Sequence, residues 1–385
     1  MAANSRLKIC YLTTIPFQIN SFLAEHIIAS KEKYNVIIIA NGKNSELEPR
    51  LRDKVIFHAV GIQRPINLLA DMISILKILL ILRREKPDII HTLSPKAGLL
   101  GILAGFIASV PIRIHWFTGQ VWVTRNEPLH TILRFVDQII VQLATNVLVD
   151  SESQRKFLAQ SRVADVADME VLGCGSVSGV DSTRFHPCLV SRKSVRAKLR
   201  IDLDDTVLVF LGRITPEKGL IELAEAIQGL RNELPKLHSI LIGFEEKNFS
   251  KHLIRAAGVA ADRLHLVGYT ANPEQYLAAA DFMVLPSYRE GFGSSIIEAA
   301  ACGIPAIGTR ITGLSDSIVE GRTGLLVPTK DTKSLASAIR LLTTDIPLRN
   351  RLGEAARYRA EQKFETQSLV RLLQDYYTYI LDHMK

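Results

Sequence analysis

The chain has 385 residues, more than one hydrophobic core usually organises, so two domains are expected. Hydrophobic residues at 47% and charged residues at 22% exclude a disordered chain and fit an ordinary globular protein. The formal net charge of +8 favours anionic partners such as acidic lipid head groups and phosphorylated small molecules. Nucleic acid is disfavoured, because no basic stripe is interleaved with aromatics.

In chain order, short apolar runs alternate with longer helical stretches. The opening MAANSRLKICYLTT has no long apolar segment before its first strand, so no signal peptide is expected. Strands are predicted at Lys8–Leu12, 36–40, 55–60, 88–92, 113–116 and 146–150, and a second series at 207–212, 239–243, 264–267, 282–286, 305–308 and Gly324–Val327. These runs are nearly continuous in Val, Ile and Leu, as strands covered on both faces of a parallel sheet must be. Two doubly wound α/β domains follow, divided as residues 1–185 and 186–365. A final helix over 366–385 has apolar residues at helical spacing and is expected to pack back on the first domain. Four scattered cysteines (Cys10, Cys174, Cys188, Cys302) form no CxxC pair, which argues against a zinc site or disulfide framework and for a reducing cytoplasm.

Two apolar stretches stand out. Residues 66–82 (INLLADMISILKILLIL) are too short and, with Asp71 and Lys77, too charged to span a bilayer. They read as a buried crossover helix, or as a helix lying in the membrane interface with the following Arg83, Arg84 and Lys86 on acidic head groups. Residues 97–110, rich in Gly and Ala, read as a helix packed closely behind a strand.

The segments that carry chemistry lie in the second half. After FMVLP comes SYREGFGSSIIEAAACGIP, a strand, a glycine-rich loop and a helix. Gly291 and Gly293 permit an unusual backbone, and Ser294 or Ser295 is expected to cap the helix. Free N–H groups and the positive helix end make a site suited to a diphosphate, flanked by Glu290 and Glu298. In LGRITPEKG, Arg213 and Lys218 stand on another loop at a strand's carboxyl end, where two cations can neutralise a departing diphosphate without a metal. Either loop alone is common in α/β proteins; together in one domain they point to a sugar-nucleotide site.

These motifs, with TGLSDSIVEGRTGLLVP and weaker matches in DIIHTLSPKAGLLG and GSVSGVDSTRFHP, resemble the retaining glycosyltransferases of family 4 across nearly the whole chain. The resemblance implies the GT-B architecture, two Rossmann-like doubly wound domains facing a cleft, with acceptor on the first and nucleotide sugar on the second. It implies that Arg213 and Lys218 hold the donor diphosphate, that Glu290 binds hydroxyls of the donor sugar, and that Glu298 binds the ribose. The backbone at Gly291, Phe292, Gly293 and Ser294 would approach the sugar and phosphates. No metal and no cofactor are implied. The first loop, TTIPFQINSFL, departs from the family in lacking glycine. The acceptor-side loop reads WFTGQVWVTR, with Thr118, Gly119 and Gln120 where a histidine is common. His115 stands three residues earlier, as a strand-end structural residue or a catalytic one. The TGQVW variant resembles transferases that build bacterial polysaccharides on polyprenyl-diphosphate carriers. Lys96, Arg113 and Arg125 are then candidates for the acceptor's diphosphate, or are solvated surface cations.

The expected activity is hexosyl transfer from a nucleotide sugar, UDP-linked, to a lipid-linked glycan at the inner face of the membrane, by a cytoplasmic, peripherally bound enzyme. Competing readings are a UDP-sugar 2-epimerase of the same fold and a non-catalytic sugar-nucleotide-binding or scaffolding protein. A dinucleotide oxidoreductase is disfavoured, because Gly173, Gly175 and Gly179 have the wrong final spacing and follow no first strand.

Overall fold

The computed structural model describes residues 6–246 and 248–383. The described chain forms two compact units, 1–178 with 366–385, and 179–365. The first contains β1 (Lys8–Leu12), α1 (Pro16–Gln18), α2 (Ala24–Lys33), β2 (Asn35–Ala40), β3 (Ile56–Ala59), α3 (Leu68–Glu85), β4 (Ile89–Leu93), α4 (Pro95–Ile107), β5 (Ile112–Phe117), α5 (Leu129–Leu143), β6 (Asn146–Val149), α6 (Glu152–Gln160) and β7 (Met169–Val171). The second contains α7 (Leu189–Leu199), β8 (Thr206–Leu211), α8 (Leu220–Leu230), β9 (Leu237–Ile242), α9 (Ser250–Ala257), β10 (Leu264–Gly268), α10 (Pro273–Ala279) and β11 (Phe282–Leu285). It continues through α11 (Ser294–Ala301), β12 (Ala306–Thr309), α12 (Leu314–Ser317), β13 (Gly324–Val327), α13 (Thr332–Thr344) and α14 (Ile346–Lys363), after which α15 (Thr366–Asp382) returns to the first unit.

Both sheets are parallel, with orders β3-β2-β1-β4-β5-β6-β7 and β10-β9-β8-β11-β12-β13. Each therefore reverses direction once, between β1 and β4 and between β8 and β11. At such a switch point the loops on the carboxyl edge part and leave a crevice for a ligand. The sequence predicts six strands in the first series; the seventh, β7, is three residues long at the sheet's edge, too short to build an apolar run.

The units part at residue 178 rather than 185, because Val180 already pairs with the far end of the second unit. Its N–H donates to the Phe364 carbonyl at 2.8 Å, and Phe185 lies in the second unit's core. Within that core Arg196, fully buried, donates to Asp281 at 2.8 Å, and Asp281 also accepts the Val207 N–H at 2.7 Å. One carboxylate thus ties α7 and the start of β8 to β11, and pairing removes the cost of burying the guanidinium.

In the first unit α4 lies closely behind the sheet. A Cβ at Gly98 would stand 2.3 Å from the His115 ring, and one at Gly101 2.7 Å from Thr92. α15 packs on α2 and buries Leu369, Leu373, Tyr377 and Ile380. The Tyr377 hydroxyl bonds His91 Nδ1 at 2.5 Å and the Tyr11 hydroxyl at 3.2 Å, so the last helix closes a polar network inside an apolar layer. The helix α3 is buried on one side only, so the first of its two expected readings holds in part: Ser74, Ile78 and Leu82 are buried, Ile75, Leu79 and Ile81 are partly covered, and the opposite side is exposed. Among the described residues no helix is long and apolar enough to cross a membrane.

Tyr377→Ala should lower stability by about 4 kcal/mol, since it removes a buried aromatic and strands His91 Nδ1, while the Tyr11 hydroxyl keeps Ser30. Urea denaturation followed by circular dichroism measures this.

Candidate active site

The switch point of the second unit brings the two predicted loops into contact. β8 runs out into residues 212–219 and β11 into residues 286–293. Gly219 has φ +67, and a Cβ there would meet the Pro286 carbonyl at 2.0 Å, so only glycine lets the loops approach this closely. The Tyr288 N–H donates to the Glu217 carbonyl at 2.9 Å, a backbone link between the two loops.

Side chains complete the joint. Lys218 Nζ stands 2.5 Å from Glu290 Oε1, and the buried Ser287 hydroxyl donates to the same oxygen at 2.7 Å. Arg213 donates to Glu217 at 2.7 Å and to Glu246 at 2.8 Å, while Arg289 donates to the other Glu217 oxygen at 3.2 Å. Burial raises the Glu217 carboxyl, but Arg289 and Arg213 outweigh it and hold it below the usual range. Three cations are thus held beside three acids at one crevice edge. The Arg289 Nε is buried with no partner among the described residues.

The loop after β11 turns at Gly293, whose φ of +82 makes it the N-cap of α11. This corrects the expected serine cap: no side chain caps the helix, so its first N–H groups stay open to an anion. Gly291 lies against Gly313, whose Cβ would sit 2.3 Å from the Gly291 carbonyl. Phe292 is buried edge-on to Phe364, 5.2 Å between centroids, so its ring anchors the loop while only its backbone is available. Ser294 begins the helix, half-buried. Glu298, one turn on, makes no side-chain hydrogen bond among the described residues and keeps some exposure. Surrounding protein nevertheless raises its carboxyl to about 7, with Glu274 adding to the rise and Arg184 opposing it.

The first unit is less uniform. At its switch point Thr14 and Ser94 hydroxyls meet at 3.0 Å, and Ser94 takes φ +78, a strained value for a residue with a side chain. Lys96 follows, but its ammonium pairs with Asp71 at 2.8 Å and bonds the Pro65 carbonyl, which ties the starts of α3 and α4 together. Thr118, Gly119 and Gln120 leave β5 at the carboxyl edge, with Gly119 at φ +101. Gln120 is buried, accepts from Gln154 at 3.3 Å and leaves its own Nε2 unpartnered. Asp150, just past β6, is buried with Oδ1 unpartnered, and burial raises its carboxyl well above the ordinary range.

Two acceptor-side candidates lie elsewhere. Arg113 is the second residue of β5, at the opposite edge of the sheet and about 16 Å along the strand from Thr118. Its guanidinium is occupied by the Leu143 and Val110 carbonyls at 2.8 and 2.7 Å, so it is structural. His115 is fully buried under α4 and bonds Thr92 at 2.8 Å; burial lowers its pKa to about 3, so it is a neutral core residue. Arg125 follows the short helical turn after Gln120 and is exposed.

Residues 191–359 match the family described as glycosyl transferases group 1, and residues 23–175 match the glycosyl transferase 4-like domain. Across 97% of both chains the sequence is 30% identical to the capsular polysaccharide biosynthesis glycosyltransferase CapM of Staphylococcus aureus. The chain belongs to the family 4 glycosyltransferases. Another member is 25% identical over 89% of this chain and 90% of its own: the UDP-Gal:alpha-D-GlcNAc-diphosphoundecaprenol alpha-1,3-galactosyltransferase of Escherichia coli. The solved structure of Anabaena HepE with UDP and glucose matches with a TM-score of 0.80 at 18% identity, covering 97% of this chain and all of that one, which establishes the GT-B fold of family members here. The chain is accordingly a glycosyltransferase.

Sequence reasoning singled out Arg213, Lys218 and Glu290 but passed over Glu217, Arg289 and Ser287, which join them. The signal was present: Glu217 stands four residues after Arg213, and Arg289 directly precedes Glu290. Gly219→Ala should cost about 2 kcal/mol or more, from positive φ and the contact with the Pro286 carbonyl. Thermal unfolding, with UDP affinity read in parallel, should show both falling.

Proposed function

We propose that the chain transfers a hexose from a UDP-linked donor, with retention at the anomeric carbon, to a polyprenyl-diphosphate-linked glycan during cell-surface polysaccharide assembly. The observation that carries this reading is the joint at the β8–β11 switch point, where Arg213, Lys218 and Glu290 meet beside the uncapped start of α11. A diphosphate there would draw Lys218 from Glu290 and Arg213 from its acids. Two cations and open helix N–H groups then stabilise the charge that develops as the bond from sugar C1 to phosphate breaks, without a metal. Glu290, released from Lys218, accepts hydrogen bonds from sugar hydroxyls. Glu298 accepts from the ribose. The acceptor oxygen forms its bond to C1 on the face the diphosphate leaves, and its proton passes to the departing phosphate oxygen.

The acceptor belongs to the first unit in this reading, at the carboxyl-edge residues Thr118, Gly119 and Gln120, with Lys96 beside that unit's switch point. Support for the lipid carrier comes from the relatives. The Escherichia coli member is named for a UDP-Gal donor and a GlcNAc-diphosphoundecaprenol acceptor, and the Staphylococcus aureus member for capsular polysaccharide. Such an acceptor puts the enzyme at the cytoplasmic face of the membrane, held peripherally. The epimerase alternative predicts conversion of the nucleotide sugar with no acceptor present.

A panel of nucleotide sugars incubated with lipid extract tests the reading. Nucleoside diphosphate should be released with a UDP-sugar only when lipid is present, and no turnover with any donor would overturn it. Glu290→Gln should lower transfer roughly a hundredfold, and near-normal transfer would remove that residue from its role. Glu298 adds a pH test. Below about 7 its carboxyl is protonated, and above it the ionised form accepts from both ribose hydroxyls. The donor stabilises the ionised form, so donor KM should fall as pH rises through about 7. Glu298→Gln should flatten that profile.

A further inference from the structure

A helix that crosses over one face of a parallel sheet buries one stripe and shows water a polar one. α3 buries its stripe at Ser74, Ile78 and Leu82, but its opposite side is apolar as well. Leu69, Met72, Ile73, Leu76 and Leu80 are 72%, 59%, 52%, 56% and 66% exposed. At 3.6 residues per turn these five fall within a fan about 100° wide, centred opposite the buried stripe, and run for about 17 Å. Isolated exposed leucines are ordinary, whereas a continuous row marks a surface that something covers.

The charges beside the row indicate what covers it. Both acids of α3 are engaged, Asp71 with Lys96 at 2.8 Å and Glu85 with Arg84 at 2.8 Å and His58 at 3.1 Å. Lys77 and Arg83, which flank or continue the row, are exposed and make no ion pair among the described residues. A second copy of this face would bring the same cations and no free carboxylate to meet them. An anionic bilayer surface satisfies both halves of the pattern: acyl chains take the leucine row, and head-group phosphates take cations whose stems lie along it. α5, in the same helical layer beyond α4, shows Ile132 and Phe135 in the same way. We infer that the apolar face of α3 is a docking surface for an anionic lipid bilayer, seated in its interface without crossing it. The inference rests on the proposed membrane-borne acceptor for its use, and gives that reading a specific surface.

Co-sedimentation with phosphatidylglycerol vesicles, free of donor and of any acceptor lipid, tests it separately from transfer. The wild-type chain should bind, and should bind phosphatidylcholine vesicles about tenfold more weakly. The triple variant Leu69→Ser, Ile73→Ser, Leu76→Ser should lose about tenfold or more of its binding, with its melting transition and its affinity for UDP unchanged. Lys77→Glu with Arg83→Glu should weaken only the phosphatidylglycerol binding. Absence of wild-type binding, or undiminished binding by the triple variant, overturns the inference. So does a wild-type dimer in solution that the triple variant turns into a monomer, since a second copy would then cover the row. Failure of the transfer reading registers elsewhere, as absent donor turnover in detergent solution, and leaves vesicle binding as it was.

Discussion

Two loops from neighbouring strands can form one site only if their backbones can touch, and in the second unit that contact is Gly219 against the Pro286 carbonyl. A side chain at 219 would force the loop after β8 away from the loop after β11. The position of Lys218 beside Glu290, of Glu217 between Arg213 and Arg289, and of the Tyr288 N–H on Glu217 all follow from it. The sheet order supplies the other half of the constraint. β8 and β11 are adjacent but their crossovers leave in opposite directions, so the space above them stays clear of helices.

The charges at this joint are mutually satisfied without a ligand. Burying cations near a helix start would be costly unless acids stood beside them, and each cation here has one. The same acids keep the long side chains of Arg213, Lys218 and Arg289 ordered at the crevice edge. A ligand that replaces the acids exchanges one set of charge-assisted hydrogen bonds for another, while most of the ordering cost has already been met. Phe292 has a related part: its ring is fixed in the core so that the glycines on either side can present backbone.

Much of this was legible in the sequence. All six strands of the second sheet could be read from their apolar runs, because strands covered on both faces admit little else. Arg213, Lys218 and Glu290 could be placed on two loops, although their meeting depends on topology that residue spacing does not encode. β7 escaped because three residues at a sheet edge need no apolar run. Arg113 and His115 looked like edge residues, yet which end of a strand a cation occupies depends on where the strand starts. One residue of register separates a side chain in the core from one at the rim. The helix α3 shows the opposite limit. Its composition leaves burial and a membrane interface both open, and only the structure reveals which face is covered and how much apolar surface is left over.

The central claim is that the β8–β11 joint holds a diphosphate, and calorimetric titration of UDP and of uridine into the wild-type chain and Lys218→Ala tests it most directly. The substitution should weaken UDP binding by about tenfold or more while uridine binding stays the same. Equal weakening of both ligands, or no change in either, would contradict it.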